Sequence, residues 1–362
     1  MKILITGGHL SPALSVISEL KKEKHKILYV GRKYALEGDK AYSLEYTTIK
    51  ELGIDFFPIT TGRLQRKFTK HTIPSVLKFP IGLSQGFYVL SKFNPDVVLG
   101  FGSYVSLPVI TAAFILRIPV VIHEQTFGVG MANKIASRFS SKICISWQTS
   151  KRFFPSNKTV LTGNPLRKEI LEVEKNPKII NNPPLIYITG GSLGSHFINL
   201  LIKDSISGLT KNFKVFHQTG DAKKYNDFDQ LQKLKGDRYE VRKFLNPKES
   251  AEILENADIV VARAGINTVS EIMFLGKPSL LIPLPVSQNN EQLKNALFVR
   301  DNHLGEVLEQ KNANSKTFID LIEKLYKNID SYKKSGNFSN KDSASKIVEV
   351  IKNVNKKKKT KK

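Results

Sequence analysis

The chain has 362 residues, of which 41% are hydrophobic, enough for two ordinary domains with sizeable cores. No apolar run reaches the roughly 18 residues of a membrane span, and the single Cys144 excludes an internal disulfide, which fits a reducing cytoplasm. The net charge is +24, and the last ten residues, 353–362, hold only six of the lysines, so +18 remains without them.

Such an excess suits phosphorylated ligands, an anionic membrane or nucleic acid. No nucleic-acid module is recognisable, so nucleic acid is not an expected partner.

Lys2 to Ile5 reads as a strand, too short in its apolar part for a signal peptide. Thr6-Gly7-Gly8-His9 is a tight turn, Pro12 to Lys22 an amphipathic helix, and Ile27 to Val30 the next strand. Strand, glycine turn and helix in that order form the phosphate-binding half of a Rossmann unit. His9 at the helix start is a candidate base or donor to ligand oxygens, against the plainer role of a turn cap. Tyr46 to Gly53 is a helix and Phe56 to Ile59 a strand. Gly62 to His71 is a basic loop carrying Phe68, and it leads into the apolar stretch Ile73 to Tyr88. Basic residues beside apolar ones suit a membrane surface as well as a core helix behind a solvated loop.

Val97 to Leu99 is a buried strand, Gly100 to Tyr104 a second glycine turn, and Pro108 to Leu116 a helix. The strand Pro119 to Ile122 ends in His123-Glu124-Gln125-Thr126; Glu124 could serve catalysis, but reads better as a buried acid bonded to backbone at a strand end. After the strand Ile143 to Ser146 comes Thr162-Gly163-Asn164-Pro165-Leu166-Arg167, where an Arg behind a Pro-fixed turn can clamp a diphosphate. Lys175 to Pro184 reads as a loop near a domain junction.

Leu185 to Thr189 opens a second half. Gly190-Gly191-Ser192-Leu193-Gly194-Ser195 leads into a helix running to about Gly208, so the strand–glycine loop–helix device occurs twice. Val215 to Gly220 is a strand and turn, Val241 to Leu245 a strand, and Asp258 to Val261 another. Ala264 to Thr268 is a polar turn, followed by a helix from Thr268 to Leu275 that Gly276 closes. Its N-terminus offers backbone N–H groups to a pyrophosphate. Glu271 is placed to accept from vicinal sugar hydroxyls, or simply complements the helix dipole. Ser279 to Pro283 is a buried strand, and a new helix starts at Asn289.

The pattern R-A-G-x-x-T-x-x-E-x-x-x-x-G-K-P, then P-x-P, then E-Q-x-x-N-A, over Arg263 to Ala296, resembles the nucleotide-sugar site of the MurG family. Those glycosyltransferases move N-acetylglucosamine from its UDP carrier onto a lipid-linked muramyl peptide. Five further motifs agree in order, from the Gly-Gly-His turn, shortened here by its first pair of glycines, to G-F-G-S-Y, H-E-Q-T, T-G-N-P-L-R and G-G-S-L-G-S. Ser103 and Thr126 depart from the family's Gly and Asn, and Glu291 stands where His or Gln usually touches the sugar.

The resemblance implies an α/β fold of two Rossmann-like domains facing a cleft, the GT-B architecture. It implies an acceptor- and membrane-facing domain over residues 1–164, to which a helix over 343–352 returns. A UDP-sugar domain spans 165–340, and residues 353–362 form a disordered basic tail. His9, at the start of the first helix, is the candidate base on its own chemistry. The donor-binding residues are Thr6, Gly7, Gly8, Thr126, Arg167, Ser192, Leu245, Ile266, Asn267, Thr268, Val269, Ser270, Glu271, Glu291 and Gln292. No cofactor and no protein-bound metal are expected. The expected partners are UDP-N-acetylglucosamine, a lipid-linked muramyl-peptide acceptor and an anionic membrane at its cytoplasmic face. Alternatives on the same pattern are a transferase for another lipid acceptor, a UDP-sugar 2-epimerase and a non-catalytic UDP-sugar-binding protein.

Overall fold

The structure, a computed structural model, describes residues 1–34, 41–62, 72–173, 181–191, 193–221, 225–287, 290–332 and 341–359. The expected basic loop over 63–71, most of the loop over 175–184, and Ser192 lie outside the described residues. The chain divides into two units, Met1–Arg167 with Asn340–Lys362, and Lys168–Ser339.

The first unit runs β1 (Lys2–Gly7), α1 (Leu10–Lys21), β2 (Lys26–Gly31), α2 (Leu44–Glu51), β3 (Asp55–Pro58), α3 (Thr72–Phe93), β4 (Val97–Phe101), α4 (Ser103–Ile115), β5 (Val120–Glu124), α5 (Met131–Ala136), β6 (Lys142–Ile145) and β7 (Thr159–Leu161). The strands form one parallel sheet in the order β3-β2-β1-β4-β5-β6-β7. Every residue of β4 and β5 is buried, because helices cover both faces and leave no solvated side for polar residues. Alternation divides the strands between two cores: Leu4, Val98, Val120 and Ile122 pack with residues of α3 and α4, while Ile3, Ile5, Val97 and Leu99 pack with residues of α1.

The second unit runs α6 (Lys168–Glu172), β8 (Leu185–Thr189), α7 (His196–Leu209), β9 (Lys214–Gln218), α8 (Asp227–Gln232), β10 (Tyr239–Arg242), α9 (Pro247–Asn256), β11 (Ile259–Ala262), α10 (Ile266–Leu275), β12 (Ser279–Leu281), α11 (Glu291–Asp301), β13 (Gly305–Val307), α12 (Ser315–Lys327) and α13 (Ile329–Tyr332). Its sheet is parallel in the order β10-β9-β8-β11-β12-β13. Lys277, inside the Gly-Lys-Pro stop, is almost fully buried; its ammonium donates to the carbonyls of Glu255 and Ala257 and so caps the C-terminus of α9. That motif is therefore scaffold.

A last helix, α14 (Ser343–Lys359), belongs to the first unit and packs on α1. Ile347, Val348, Ile351 and Val354 recur at helical spacing and are buried with Ile3, Ile5 and Leu99. The tail expected to be disordered from residue 353 is instead helical to Lys359, because Val354 and Asn355 continue the buried stripe beyond the point where lysines begin. Helix starts also moved. Starts were expected at Pro12, Pro108 and Thr268, but α1, α4 and α10 begin at Leu10, Ser103 and Ile266. Pro12 and Pro108 sit inside their helices.

Replacing Ile351 with Ala should cost the first unit about 3 kcal/mol through lost burial and a residual cavity. Urea unfolding followed by the fluorescence of Trp147, the single tryptophan and buried in the same unit, should show the lowered midpoint.

Candidate functional site

In the first unit, the turn after β1 is stitched to the turn after β4: Gly8 N–H donates to the Gly102 carbonyl and His9 N–H to that of Phe101, both at 3.3 Å. His9 is the N-cap of α1, with no side-chain cap bond. Its ring lies against Gly102, which holds φ +62°; a Cβ there would come within 2.9 Å of His9 Cε1. Only glycine serves at that position. The next residue, Ser103, carries φ +67° without being glycine, a left-handed strain of about 1 kcal/mol at the start of α4.

His9 Nδ1 is buried without a partner, and so are Thr6 Oγ1, Gln125 Oε1 and Asn133 Oδ1. These residues are on or next to the carboxyl ends of β1 and β5 and the facing helix α5. Native folds rarely leave such groups unpaired, so four together mark a place built for something polar. Burial pulls the His9 pKa below its ordinary value, with Glu124 pulling weakly the other way. The imidazole is thus neutral near pH 7 and able to accept a proton.

Glu124 is fully buried, and its carboxylate accepts four hydrogen bonds: from Thr126 N–H (3.0 Å), Thr126 Oγ1 (2.7 Å), Gly130 N–H (2.9 Å) and Asn133 Nδ2 (3.1 Å). A carboxylate so satisfied folds the loop from Thr126 to Gly130 and orients Asn133. The Thr126 hydroxyl gives its proton to Glu124, leaving a lone pair for a ligand. His123, next to it, is driven down to about 3 by burial. The imidazole meets Ser146 Oγ at 3.0 Å and the Gly163 carbonyl at 3.4 Å, which ties the Thr162–Asn164 turn to β5 and β6. Arg167, the last residue of the first unit, follows that turn.

In the second unit, the glycine loop after β8 is locked against the turn after β9. Gly194 has φ +74°, and a Cβ on it would strike the Thr219 carbonyl at 2.1 Å. Ser195 caps α7, its Oγ accepting from Ile198 N–H. Below the loop, His217 Nε2 meets Asn199 Oδ1 (3.1 Å), Asn199 Nδ2 donates to Asp227 (2.8 Å), and Asp227 holds His196 Nδ1 (2.8 Å). Burial drives His217 to about 3 as well.

The N-terminus of α10 is open. Gly265 caps it without a side chain, and no acid lies in the first turn. The first N–H with an intrahelical partner is that of Val269, which donates to Gly265, so Ile266, Asn267 and Thr268 are left to present theirs to a ligand. Asn267 Oδ1 is buried and unpartnered. Of the expected wrapping segment Ile266 to Ser270, the last two residues turn their side chains inward. Val269 and Ser270 are fully buried, and Ser270 Oγ bonds back to the Ile266 carbonyl at 2.8 Å, so both belong to the inner face of the helix. Glu271, half-buried and four residues after Asn267, shares its side of the helix.

Asn295 Nδ2, fully buried, donates to the Ala264 carbonyl at 2.9 Å and fixes the turn before α10. Gln292 Oε1 accepts from Leu284 N–H at 3.0 Å, so its carbonyl holds the Pro-rich loop and its amide N–H2 faces outward from that bond. Glu291 is the first residue of α11, and Leu245 immediately precedes Asn246, the N-cap of α9. Among the described residues no three His, Cys, Asp or Glu side chains gather as for a metal ion.

Comparison with known proteins agrees with this layout. The glycosyltransferase family 28 N-terminal domain matches residues 6–145 and its C-terminal domain residues 185–359. A protein of Clostridium botulinum named UDP-N-acetylglucosamine–N-acetylmuramyl-(pentapeptide) pyrophosphoryl-undecaprenol N-acetylglucosamine transferase is 33% identical, over 97% of this chain and 98% of its own. Among solved structures, MurG of Acinetobacter baumannii superposes with a TM-score of 0.75 at 23% identity, over 97% of this chain and 99% of that one. A UDP-N-acetylglucosamine 2-epimerase of Neisseria meningitidis follows at a TM-score of 0.65 and 18% identity, over 97% of this chain and 99% of that one.

The two buried histidines make stability fall with acid. Each has a folded pKa of about 3 against roughly 6.5 when unfolded, so below that value the unfolded chain binds more protons. Their stabilisation is complete above about pH 6.5 and is lost progressively as pH falls toward 3. Urea midpoints measured from pH 8 to pH 4 should decline below that point, and His217→Gln should flatten the decline.

Proposed function

We infer that this chain, which belongs to the MurG family of glycosyltransferases, transfers N-acetylglucosamine from UDP-N-acetylglucosamine to an N-acetylmuramyl-(pentapeptide) pyrophosphoryl-undecaprenol acceptor in peptidoglycan synthesis. The architecture alone does not choose this reading, since a 2-epimerase shares it. The observation that carries it is the 33% identity to a transferase over 97% of this chain, together with an anion-ready α10 bearing Glu271 one turn beyond Asn267.

The chemistry asks different things of the two units. In the second, the N–H groups of Ile266, Asn267 and Thr268 meet the diphosphate, with Ser192 of the glycine loop adding to them; Arg167, at the end of the first unit, is a further diphosphate ligand. Glu271 accepts from the ribose hydroxyls, Leu245 meets the uracil through its backbone, and Glu291 and Gln292 meet the sugar. As the acceptor hydroxyl attacks the anomeric carbon with inversion, the bond to the β-phosphate oxygen breaks and charge gathers on UDP. Fixed N–H donors stabilise that charge without reorganising. In the first unit, neutral His9 takes the hydroxyl proton, and Thr6, Gly7, Gly8 and Thr126 line the same strand ends.

No helix among the described residues is long and apolar enough to cross a membrane. A lipid-linked acceptor nonetheless calls for contact with a lipid surface. Helices α3 and α4 run side by side in parallel, Gly82 against Pro108 and Gly86 against Ala112. At the C-terminal end of α4, Phe114, Ile115 and Leu116 are exposed in succession. This exposed apolar run, followed directly by the exposed Arg117, is our candidate for peripheral docking at the cytoplasmic face of the cell membrane.

Purified protein should move radiolabel from UDP-N-acetylglucosamine into the lipid fraction only when the lipid-linked muramyl peptide is present; donor binding without transfer would sink the reading. Glu271→Ala should raise the donor KM by roughly 10- to 100-fold, the weight of lost charge-assisted hydrogen bonds, with kcat changed far less. Replacing Phe114 and Ile115 together with Asp should abolish co-sedimentation with phosphatidylglycerol vesicles while transfer in detergent persists.

A further inference from the structure

Arg263 has no place in the reading so far, yet it joins every part of the second unit's anion-facing surface. It lies between the end of β11 and α10. Its Nε and Nη2 donate to Ser195 Oγ at 3.1 and 2.7 Å, and its Nη1 donates to the carbonyls of Ile282 (3.0 Å) and Pro283 (3.3 Å) and to Gln310 Oε1 (2.7 Å). The guanidinium also stands over the Phe197 ring, 5.8 Å from its centroid. All these partners are neutral. Among the described residues no carboxylate pairs with it, although it is half-buried. Burial lowers its pKa to about 10, which still leaves it charged at neutral pH.

A cation withdrawn from solvent without a counter-ion is costly unless a negative group arrives. Here two helix N-termini add to it. Ser195, which Arg263 grips, caps the 14-residue α7, and the 10-residue α10 starts three residues after Arg263. Neither helix carries an acid in its first turn. The buried, unpartnered Asn267 Oδ1 is an independent sign that this surface is built to be covered. We propose that Arg263 is a positioning residue that, through Ser195, orients the N-terminus of α7 and, by its uncompensated charge, makes the second unit select a nucleoside diphosphate over the bare nucleoside.

The proposal rests on the reading of the second unit as the UDP-sugar site and adds what sets its preference for phosphate. Titration calorimetry of the full chain with UDP and with uridine separates charge from scaffold. Removing one charge at that range should weaken UDP about 10-fold in Arg263→Gln while uridine stays within about 2-fold, and Arg263→Lys should keep UDP within about 3-fold. Equal losses of UDP and uridine would reduce Arg263 to scaffold, and unchanged UDP affinity would remove it from recognition; either overturns the proposal. If the Gln variant fails to fold, the native protein decides: UDP affinity should fall with added salt while uridine affinity stays level, and a level UDP curve overturns the idea. A native chain that binds neither ligand would instead overturn the UDP-sugar reading itself.

Discussion

Both units obey one constraint: a parallel sheet covered by helices on two faces has no solvated side. Polar chemistry is then confined to the carboxyl ends of the strands, where the following helices also begin. There each helix exposes N–H groups that nothing within the helix can satisfy. The two units meet this demand differently. In the first, neighbouring turns bond to each other through backbone, Gly8 to Gly102 and His9 to Phe101. In the second, the turns interlock by contact, Gly194 against Thr219, and a guanidinium binds the rest. The same topology thus gives one surface with a neutral imidazole and another dominated by positive charge.

Hydrogen-bond satisfaction separates scaffold from site more sharply than residue type does. Glu124 looks like a catalytic acid in sequence, but four donors surround its carboxylate. Lys277 lies inside the same family pattern as Glu271, yet it caps α9 with its ammonium buried. Beside them, Thr6, His9 and Asn267 each keep a buried atom unpaired. Energetically the contrast is large: an unmade buried hydrogen bond costs about 1–3 kcal/mol, so a fold retains one only where a partner will arrive. These three atoms lie at or just beyond the carboxyl ends of β1 and β11, and the satisfied groups lie behind them.

Most of the architecture was legible because parallel strands are unbroken apolar runs and the glycine turns recur after β1, β4 and β8. What was not legible has particular causes. Proline was taken as a helix boundary, but Pro12 and Pro108 are accommodated within α1 and α4. The lysines after residue 355 outweighed Val354 and Asn355, whose burial depends on a partner in the first unit, distant in sequence. Val269 and Ser270 fall in the same motif as Thr268, and only the observed start of α10 shows that they turn inward. Arg263 and Asn295 stood inside recognised patterns without a role, because their partners, Ser195 and Ala264, lie 68 and 31 residues away. The capping box at Asn246 and Glu249 did announce α9 in local terms and was available to a closer reading.

The departures from the family pattern are informative for the same reason. Thr126 replaces an amide with a hydroxyl, and the structure directs that hydroxyl to Glu124 at 2.7 Å. The residue therefore works first in holding the strand end, its hydroxyl proton already committed to Glu124. Ser103 stands in a left-handed conformation that a glycine would adopt freely. Its persistence there requires the surrounding contacts to over-determine the turn, and they do: Gly102 is pinned by the His9 ring on one side and by the Gly8 N–H on the other. The shortened glycine turn is tied to this second turn by backbone, Gly8 N–H to Gly102 and His9 N–H to Phe101, a link between residues more than 90 apart that no local side-chain pattern announces.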